Sequence, residues 1–476
     1  MKKVFIMMMC LVLIGCNSPN NENTSQNNVV EPVEEAVVEE GINLVGVDLN
    51  EVTSDQAIEI IKELSDAKYG GRQAGTEENE DAEDYLVDVF KASGLEPIES
   101  LGGYKQEYTQ IAAVPVRPTQ VSIEGLDITY EYQKDFTERF RIGYTYYDTE
   151  TQAEMIFVRS AAELVEDKWA FDNKVILMPQ DVYYSNSTYT NLELLSMEGV
   201  NVEAIITAQE SPEAGMRVAR GVRGDGFTSF EEEDPVLLVF SFDKFNELVE
   251  LSKENAVINI SMDYEVKEET VANIVGYIPG KHEEGENETI ILGAHFDHVG
   301  NNMDGSFNAG ALDNASGVSV ILDLARMISN GEQPEDDVIV VAFNGEEDGL
   351  IGSKYFTENP PIEYQTTHTK MLNLDMVGST NPVPLYIGTS SSYSTSMKDE
   401  LADLAKNLDI DYEKQNMGYS DHVNFSDAGI KAVMLIHLDY AYYHTALDTL
   451  ENAVDSNRLE EVIRLCLSFT NQEIYE

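Results

Sequence analysis

Residues 338–352 read VIVVAFNGEEDGLIG and join a run of six apolar residues to two adjacent carboxylates. The apolar run predicts a strand that is buried on both faces, and Asn344-Gly345 supplies the turn that ends it. Glu346 and Glu347 then place two negative charges side by side where the chain leaves the core. Neighbouring carboxylates repel each other. The segment is therefore either a solvated loop of an acidic protein or a place where a cation is bound.

Other segments of the chain repeat this apolar character. Continuous apolar strands are predicted at 271–278, 288–294, 370–376 and 431–438, with amphipathic helices at 315–330 and 350–359. Strands of this kind that alternate with helices are typical of parallel sheets covered on both faces. The fold class predicted is α/β, a three-layer sandwich with a mostly parallel mixed central sheet.

The region between the N-terminal helices and this sheet has a different pattern. Helices are predicted at 54–64 and around Tyr85 to Phe90, whereas residues 119–265 contain short alternating runs with helical stretches at 191–198 and 243–253. We therefore expect a β-rich domain at 119–265, inserted into a main domain that comprises 51–118 and 266–476.

The N-terminus has the features of an export signal. Residues 1–16, MKKVFIMMMCLVLIGC, have a basic start, a short apolar stretch and a small residue before Cys16, which resembles a bacterial lipobox. The alternative is a plain signal peptide. Residues 17–50 are rich in Asn and Glu and predict a disordered acidic linker. We expect a protein outside the cytoplasm, anchored to the membrane by lipid on Cys16. Cys466 lies in an apolar run and is expected in the core.

The charge of the chain limits its partners. The sequence has 87 acidic and 30 basic residues, for a formal net charge of −57. Nucleic acid would meet a repulsive field, whereas a peptide with a free amino terminus would be attracted. A role in solubility alone explains the acidity equally well. The sequence does not indicate an oligomeric state.

Charged residues follow several predicted strands. In open α/β sheets, ligands bind beyond the carboxyl ends of the strands. The residues expected at this edge are His295, Asp297, His298, Asp313, Glu346, Glu347, Asp375, Tyr443 and His444. Each alone has an ordinary structural explanation, such as a helix N-cap for Asp313. Within this set, two histidines, two aspartates and the glutamate pair would together suit one or two metal ions of the zinc type.

Seven motifs carry a resemblance to a known family. They are GGRQAGT, GAHFDHVG, GALDNASG, FNGEEDGLIGS, LNLDMVG, SDHVNF and YYHTALDTLEN. The chain resembles the dinuclear-zinc aminopeptidase family that also contains glutamate carboxypeptidases and the transferrin-receptor ectodomain. The resemblance covers about 54–118 and 271–476. The insert resembles a protease-associated domain through WAFDNKVILMP and GVNVEAIIT.

The resemblance implies a role for each matching residue. It implies one zinc ion held by His295 and Asp375, a second held by Glu347 and His444, and Asp313 bridging both. Glu346 would be the general base that takes a proton from water and passes it to the leaving amine. Asp297 would fix the tautomer of His295, and Tyr443 would either donate to the developing oxyanion or only pack. In the family, the peptide bond after the bridging aspartate is often cis, so Asp313-Asn314 is expected to be cis.

The function expected is that of a zinc exopeptidase, with an aminopeptidase favoured. A carboxypeptidase for acidic peptides would need arginines near the site; Arg217, Arg220 and Arg223 of the insert are candidates. A glutaminyl cyclase of the same fold normally uses one zinc ion, and a non-catalytic binding lipoprotein would be expected to have lost ligands. We expect His298, Asp421, His422 and His437 to be structural or to shape the pocket.

Overall fold

The computed structural model describes residues 49–139, 149–210, 216–218, 235–281 and 288–475. The predicted signal segment, Cys16 and all but the last two residues of the predicted linker lie outside these ranges, as do Arg220 and Arg223. No helix within the described ranges is long and apolar enough to cross a membrane.

The described chain contains strands and helices in alternation. The strands are β1 Lys105–Pro115, β2 Gln120–Ile123, β3 Phe136–Glu138, β4 Thr149–Phe157, β5 Lys174–Met178, β6 Val202–Gln209, β7 Val236–Ser241, β8 Val257–Met262, β9 Tyr264–Ile278, β10 Thr289–His295, β11 Asp337–Phe343, β12 Thr369–Asp375, β13 Leu385–Thr389, β14 Tyr412–Asn416 and β15 Lys431–His437. The helices are α1 Asp55–Leu64, α2 Glu77–Ala92, α3 Glu163–Glu166, α4 Gln180–Tyr183, α5 Asn186–Met197, α6 Phe242–Ser252, α7 Ser316–Asn330, α8 Ile351–Glu358, α9 Thr395–Asn407, α10 His422–Asp427, α11 Leu450–Ala453 and α12 Ser456–Tyr475.

The larger sheet has eight strands in the order β1-β9-β11-β10-β12-β15-β13-β14. The pairs at its centre, from β11 through β10 and β12 to β15, are parallel, and so is the edge pair β13–β14. The pairs β1–β9, β9–β11 and β13–β15 are antiparallel. This is the mixed, mostly parallel sheet predicted from the apolar runs.

Both faces of this sheet are buried. Alternate residues of β10 divide between two apolar clusters: Ile290 and Leu292 pack with α1, α2, α7, α9 and α12, while Ile291 packs with Phe356 of α8 and Phe425 of α10. Because successive side chains of a strand point to opposite faces, the two clusters lie on opposite sides of the sheet. The predicted α/β class with helices on both faces is confirmed. Cys466 is buried in the first cluster, in α12.

A second sheet has seven strands, in the order β2-β8-β4-β5-β6-β7-β3, all between Gln120 and Met262. Its core of β4, β5, β6 and β7 is parallel, which the short alternating runs in the sequence did not indicate. The sheet has its own apolar clusters, which include Phe136, Phe240 and Ile258 on one side and Phe171 and Ile176 on the other. We refer to the described residues between β1 and β9, which carry this sheet and its helices, as the insert.

Candidate metal centre

The carboxyl ends of four strands of the larger sheet meet at one edge. His295 is the last residue of β10, Asp375 is the last residue of β12, and Glu346 and Glu347 follow β11. His444 lies in the loop after β15. Parallel strands in this order place their ends side by side, so residues that are far apart in sequence come together.

The ligand-type side chains form two groups. The first consists of His295, Glu346 and Asp375, and the second of His298, Asp313, Glu347 and His444; within each group the ligand atoms lie within 4.8 Å of one another. All seven are buried except Glu346, which is partly exposed. His298, which the sequence led us to treat as structural, is a member of the second group.

Asp313 faces both groups. Its Oδ1 lies 3.5 Å from Nε2 of His295, and its Oδ2 lies 3.2 Å from Nε2 of His444. Asp375 Oδ1 is 3.6 Å from His295 Nε2, and Glu347 Oε1 is 3.0 Å from His444 Nε2. Two ligands bound tetrahedrally to one zinc ion at about 2.05 Å are about 3.3 Å apart. The spacings therefore suit two adjacent ions that share Asp313.

The histidine tautomers support this interpretation. His444 Nδ1 lies 2.7 Å from the carbonyl oxygen of Val218, and His295 Nδ1 lies 3.2 Å from that of Asp297. A carbonyl can only accept, so both Nδ1 atoms carry a proton, and each ring directs its Nε2 atom, the one able to bind a metal ion, towards the carboxylates. His444 Nε2 makes no hydrogen bond within the described chain despite its short distances. A nitrogen and carboxylate oxygens this close share either a proton or a metal ion, and the spacing suits a metal ion as well as a proton.

Asp297 is the partner of His295, as we expected, although its main chain makes the hydrogen bond. The hydrogen bond of His295 goes to its main-chain carbonyl, while its carboxylate Oδ1 is 3.6 Å from His295 Nδ1. The two carboxylate oxygens instead accept from the main-chain N–H groups of Glu346 and Glu347, each at 3.1 Å. The carboxylate of Asp297 thus fixes the backbone of the turn that carries the two glutamates.

The two glutamates lie in different electrostatic environments. Burial and the charge of Glu347 raise the pKa of Glu346 well above its usual value, although His295 opposes the shift. Burial also disfavours ionisation of Glu347, but His444 and His298 hold its pKa well below the usual value. Paired carboxylates whose pKa values are pushed apart are typical of acid–base sites, where one group carries protons and the other remains ionised.

The carboxylates also act on the histidines. Burial favours the neutral imidazole, yet the charges of Glu347 and Asp313 raise the pKa of His444 to about 10. Glu346 and Asp375 act in the same direction on His295. The site therefore attracts positive charge, as a centre for divalent cations must.

Arg72, in the GGRQAGT motif, ties the loops of the site together. Its side chain is fully buried and donates to four main-chain carbonyls, those of Leu64, Phe296, Ala309 and Gly310. Phe296 directly follows His295 in the chain, and Ala309 and Gly310 lie shortly before Asp313. A buried guanidinium with five donors can connect several loop ends at once, which a lysine cannot.

Asp448 fixes the backbone at Asp313. Its two carboxylate oxygens accept from the N–H groups of Leu312 (2.9 Å) and Asp313 (3.1 Å). Gly310, with φ +60°, lies where an added Cβ would come within 2.4 Å of the Asp313 carbonyl oxygen, so only glycine fits. The Asp313-Asn314 peptide bond is cis, as expected.

The insert reaches this site through residues 216–218. Val218 N donates to the carbonyl of His444 at 2.9 Å, and Arg217 Nη2 donates to the carbonyl of Tyr440 at 2.6 Å. The ring of Tyr443 stacks on the imidazole of His444, with centroids 3.7 Å apart. Tyr443 therefore lies against His444, one of the predicted ligands.

Sequence reasoning assigned no role in the site to Arg72, His298, Asp448 or Val218. The first three lie within motifs that we had quoted for the resemblance, and that was the available signal. Val218 has no signal in the sequence. His422 and His437 are buried and hydrogen-bonded to the main chain through Met417 and Gly378, in agreement with structural roles.

Comparison with known proteins gives a match for the main domain. Residues 273–470 match the sequence model of peptidase family M28. The aminopeptidase YwaD of Bacillus subtilis (strain 168) is 30% identical over 203 residues, which cover 40% of this chain and 42% of that protein. The chain thus spans less than half the length of this curated relative. The resemblance stated from the sequence motifs is confirmed for this part of the chain.

Solved structures have the same fold over most of the chain. An aminopeptidase from Aneurinibacillus sp. strain AM-1 superposes with a TM-score of 0.66 at 22% identity, covering 90% of this chain and 95% of that one. BSAP, a zinc aminopeptidase from Bacillus subtilis, gives a TM-score of 0.64 at 21% identity, with coverages of 89% and 98%. At this identity the likeness concerns the fold.

Proposed function

We propose that this chain, whose residues 273–470 match the sequence model of peptidase family M28, is a zinc-dependent aminopeptidase that removes N-terminal residues from peptides. One observation carries the proposal: the two carboxylate oxygens of Asp313 face histidines of two different ligand groups, with Glu346 beside one of them. This is the arrangement expected for two adjacent ions and a free base.

The ligands proposed are His295 and Asp375 for one ion, Glu347 and His444 for the other, and Asp313 for both. His298 Nδ1 lies 3.1 Å from Glu347 Oε1 and positions that carboxylate. Two bound zinc ions would lower the pKa of a water molecule and offset the negative charge of the tetrahedral oxygens.

The protein side chains handle the proton. Glu346 is partly exposed, so it can reach a water molecule, and in its ionised form it would accept a proton from that water and deliver it to the leaving amine. In this proposal, the hydroxyl of Tyr443 faces the substrate and donates a hydrogen bond to the developing oxyanion. The acidic surroundings of the site favour substrates with a free, positively charged amino terminus.

A carboxypeptidase for acidic peptides is the second candidate, because Arg217 of the insert reaches the loop that carries His444. A guanidinium at this position is able to bind a substrate carboxylate. Its contacts with Tyr440 already use part of its donor capacity, which favours the aminopeptidase.

A matched panel of peptides tests the proposal. Each peptide is offered with a free amino terminus and with an acetylated one, before and after chelation and re-addition of zinc. We expect cleavage of the free forms only, loss with chelator and recovery with zinc. Release of the C-terminal residue from acetylated peptides would instead establish the carboxypeptidase, and no turnover with zinc fully bound would contradict both.

We also propose that the protein is lipidated at Cys16 and that the insert is a protease-associated domain. Changing Cys16 to Ser should move the protein from the membrane fraction to the soluble fraction with its peptidase activity intact. A variant that stays with membranes as before would contradict the anchor.

A further inference from the structure

The contact between the insert and His444 involves both the ring and the backbone of that residue. The carbonyl of Val218 lies 2.7 Å from His444 Nδ1, and the N–H of Val218 donates to the His444 carbonyl at 2.9 Å. Val218 and Met216 are buried, so the contact is shielded from water. The partners are 226 positions apart in sequence.

His444 needs such support. Its backbone has φ +55°, a left-handed conformation that costs a non-glycine residue of order 1 kcal/mol or more and persists only where its surroundings hold it. To bind an ion together with Asp313 and Glu347, its ring must present an unprotonated Nε2, and an acceptor at Nδ1 holds the ring proton on the other nitrogen. Within the described chain, the carbonyl of Val218 accepts from the ring of His444, and the N–H of Val218 donates to the strained backbone of the same residue.

We propose that the insert is a working part of the metal centre: the main chain of Val218 positions His444 and so sets the affinity of the ion that His444 binds. This inference rests on the proposed function, because it assumes the two-ion centre. Outer partners of metal-bound histidines typically change metal affinity by about 10–100-fold when they are removed.

Two further contacts hold the segment 216–218 in place. Met216 N donates to the carbonyl of Gln133 at 2.7 Å, which connects the segment to the rest of the insert. Arg217 donates to the Tyr440 carbonyl at 2.6 Å and lies 5.4 Å from the centre of the Tyr440 ring. Arg217 is thus the side chain that attaches the insert to the loop of His444, and it can be mutated without touching a ligand.

The test measures the release of both ions to a chelator in the full chain. Val218→Pro removes the N–H that donates to the His444 carbonyl and so loosens the backbone that holds the His444 ring against the Val218 carbonyl, whereas Val218→Ala keeps both main-chain groups. We expect Val218→Pro to speed the release of one ion by about 10–100-fold and Val218→Ala by less than about threefold. Arg217→Gln should speed the release of the same ion. Arg159→Gln, which changes an exposed arginine of the insert, should leave the release rates of both ions unchanged.

A double-mutant cycle identifies the ion. If Val218 acts through His444, Val218→Pro should add nothing in a His444→Gln background and should keep its full effect in an Asp375→Asn background. A far-UV circular dichroism spectrum and a thermal unfolding transition like those of the wild type show that each variant remains folded. If Val218→Pro does not fold, Arg217→Gln is tested in the same two backgrounds.

The inference fails if Val218→Pro and Arg217→Gln release both ions at the wild-type rate, if both ions are released faster to the same extent, or if the effect persists without His444. A wild-type protein that binds two ions and cleaves peptides in any of these cases leaves the proposed function standing. A wild-type protein that binds no zinc overturns both.

Discussion

Glu346 and Glu347 are neighbours in sequence, yet their substitution should have different consequences. Glu346→Gln keeps the shape of the side chain and removes the base. Since the turn is held by the main-chain bonds to Asp297, the backbone should not move. We expect both ions to remain bound and kcat to fall by about 10²–10⁴, which corresponds to about 2.7–5.5 kcal/mol in activation free energy.

Glu347→Gln should act on the metal instead. Glu347 Oε1 lies 3.0 Å from His444 Nε2 and 3.1 Å from His298 Nδ1, so the substitution removes negative charge from the second ion. Zinc content should fall from about two ions per chain towards one, with loss of activity. Glu358→Gln, at an exposed position of α8, is the control and should change neither quantity.

Elemental analysis of zinc beside steady-state kinetics decides between these roles. If Glu346→Gln loses an ion while Glu347→Gln keeps two, the assignments of base and ligand are reversed. If both variants keep their zinc and their rate, the centre is elsewhere and the argument from Asp313 is wrong.

Three other substitutions test the surroundings of the site. Arg72→Leu leaves four buried carbonyls without their donor and should lower the free energy of unfolding by at least about 3 kcal/mol in urea titrations; an unchanged midpoint would contradict the role of Arg72. Burial, aided by Arg458, lowers the pKa of His437 to about 3, so stability present above the unfolded pKa of about 6.5 is lost as pH falls towards 3. The free energy of unfolding of the metal-free wild type, measured by urea titration, should therefore fall by about 2.5 kcal/mol more than that of His437→Asn between about pH 7 and pH 4.5. Equal losses in the two proteins would contradict the lowered pKa of His437. Tyr443→Phe keeps the ring stacked on His444, so a fall in kcat of about 10-fold or more at constant zinc content would establish the oxyanion role, and wild-type kcat would leave only packing.

The central strands could be predicted because each is buried on both faces and so has a continuous apolar sequence. The apolar run at 338–343 lies within β11, Asp337–Phe343. Strand β1 was missed because Gln106 and Gln110 occupy buried positions, where they donate to Asn359 and Asp348 and give the segment a polar appearance. Strand β14 has no apolar pattern and forms by pairing with β13.

The ligand-type residues could be predicted for a similar reason, since strand ends in a parallel sheet lie at a common edge. The groups that orient them could not. Arg72 and Val218 act through main-chain atoms far away in sequence, and no local pattern marks a carbonyl that will accept from a histidine. The further role of the Asp297 carboxylate could not be predicted, because its partners are main-chain N–H groups of another loop.

The origins of these contacts have a consequence for the order of events during folding. The hydrogen bonds from Arg72 to Ala309, from Asp313 to Asp448 and from His444 to Val218 join residues 237, 135 and 226 positions apart. Contacts of such long range close large loops, and they form late and slowly compared with helices and hairpins. An incomplete or unfolded chain would carry the ligands without their geometry. A nascent or partly degraded molecule should thus be inert towards the peptides around it, and hydrolytic activity should appear only with the last step of assembly.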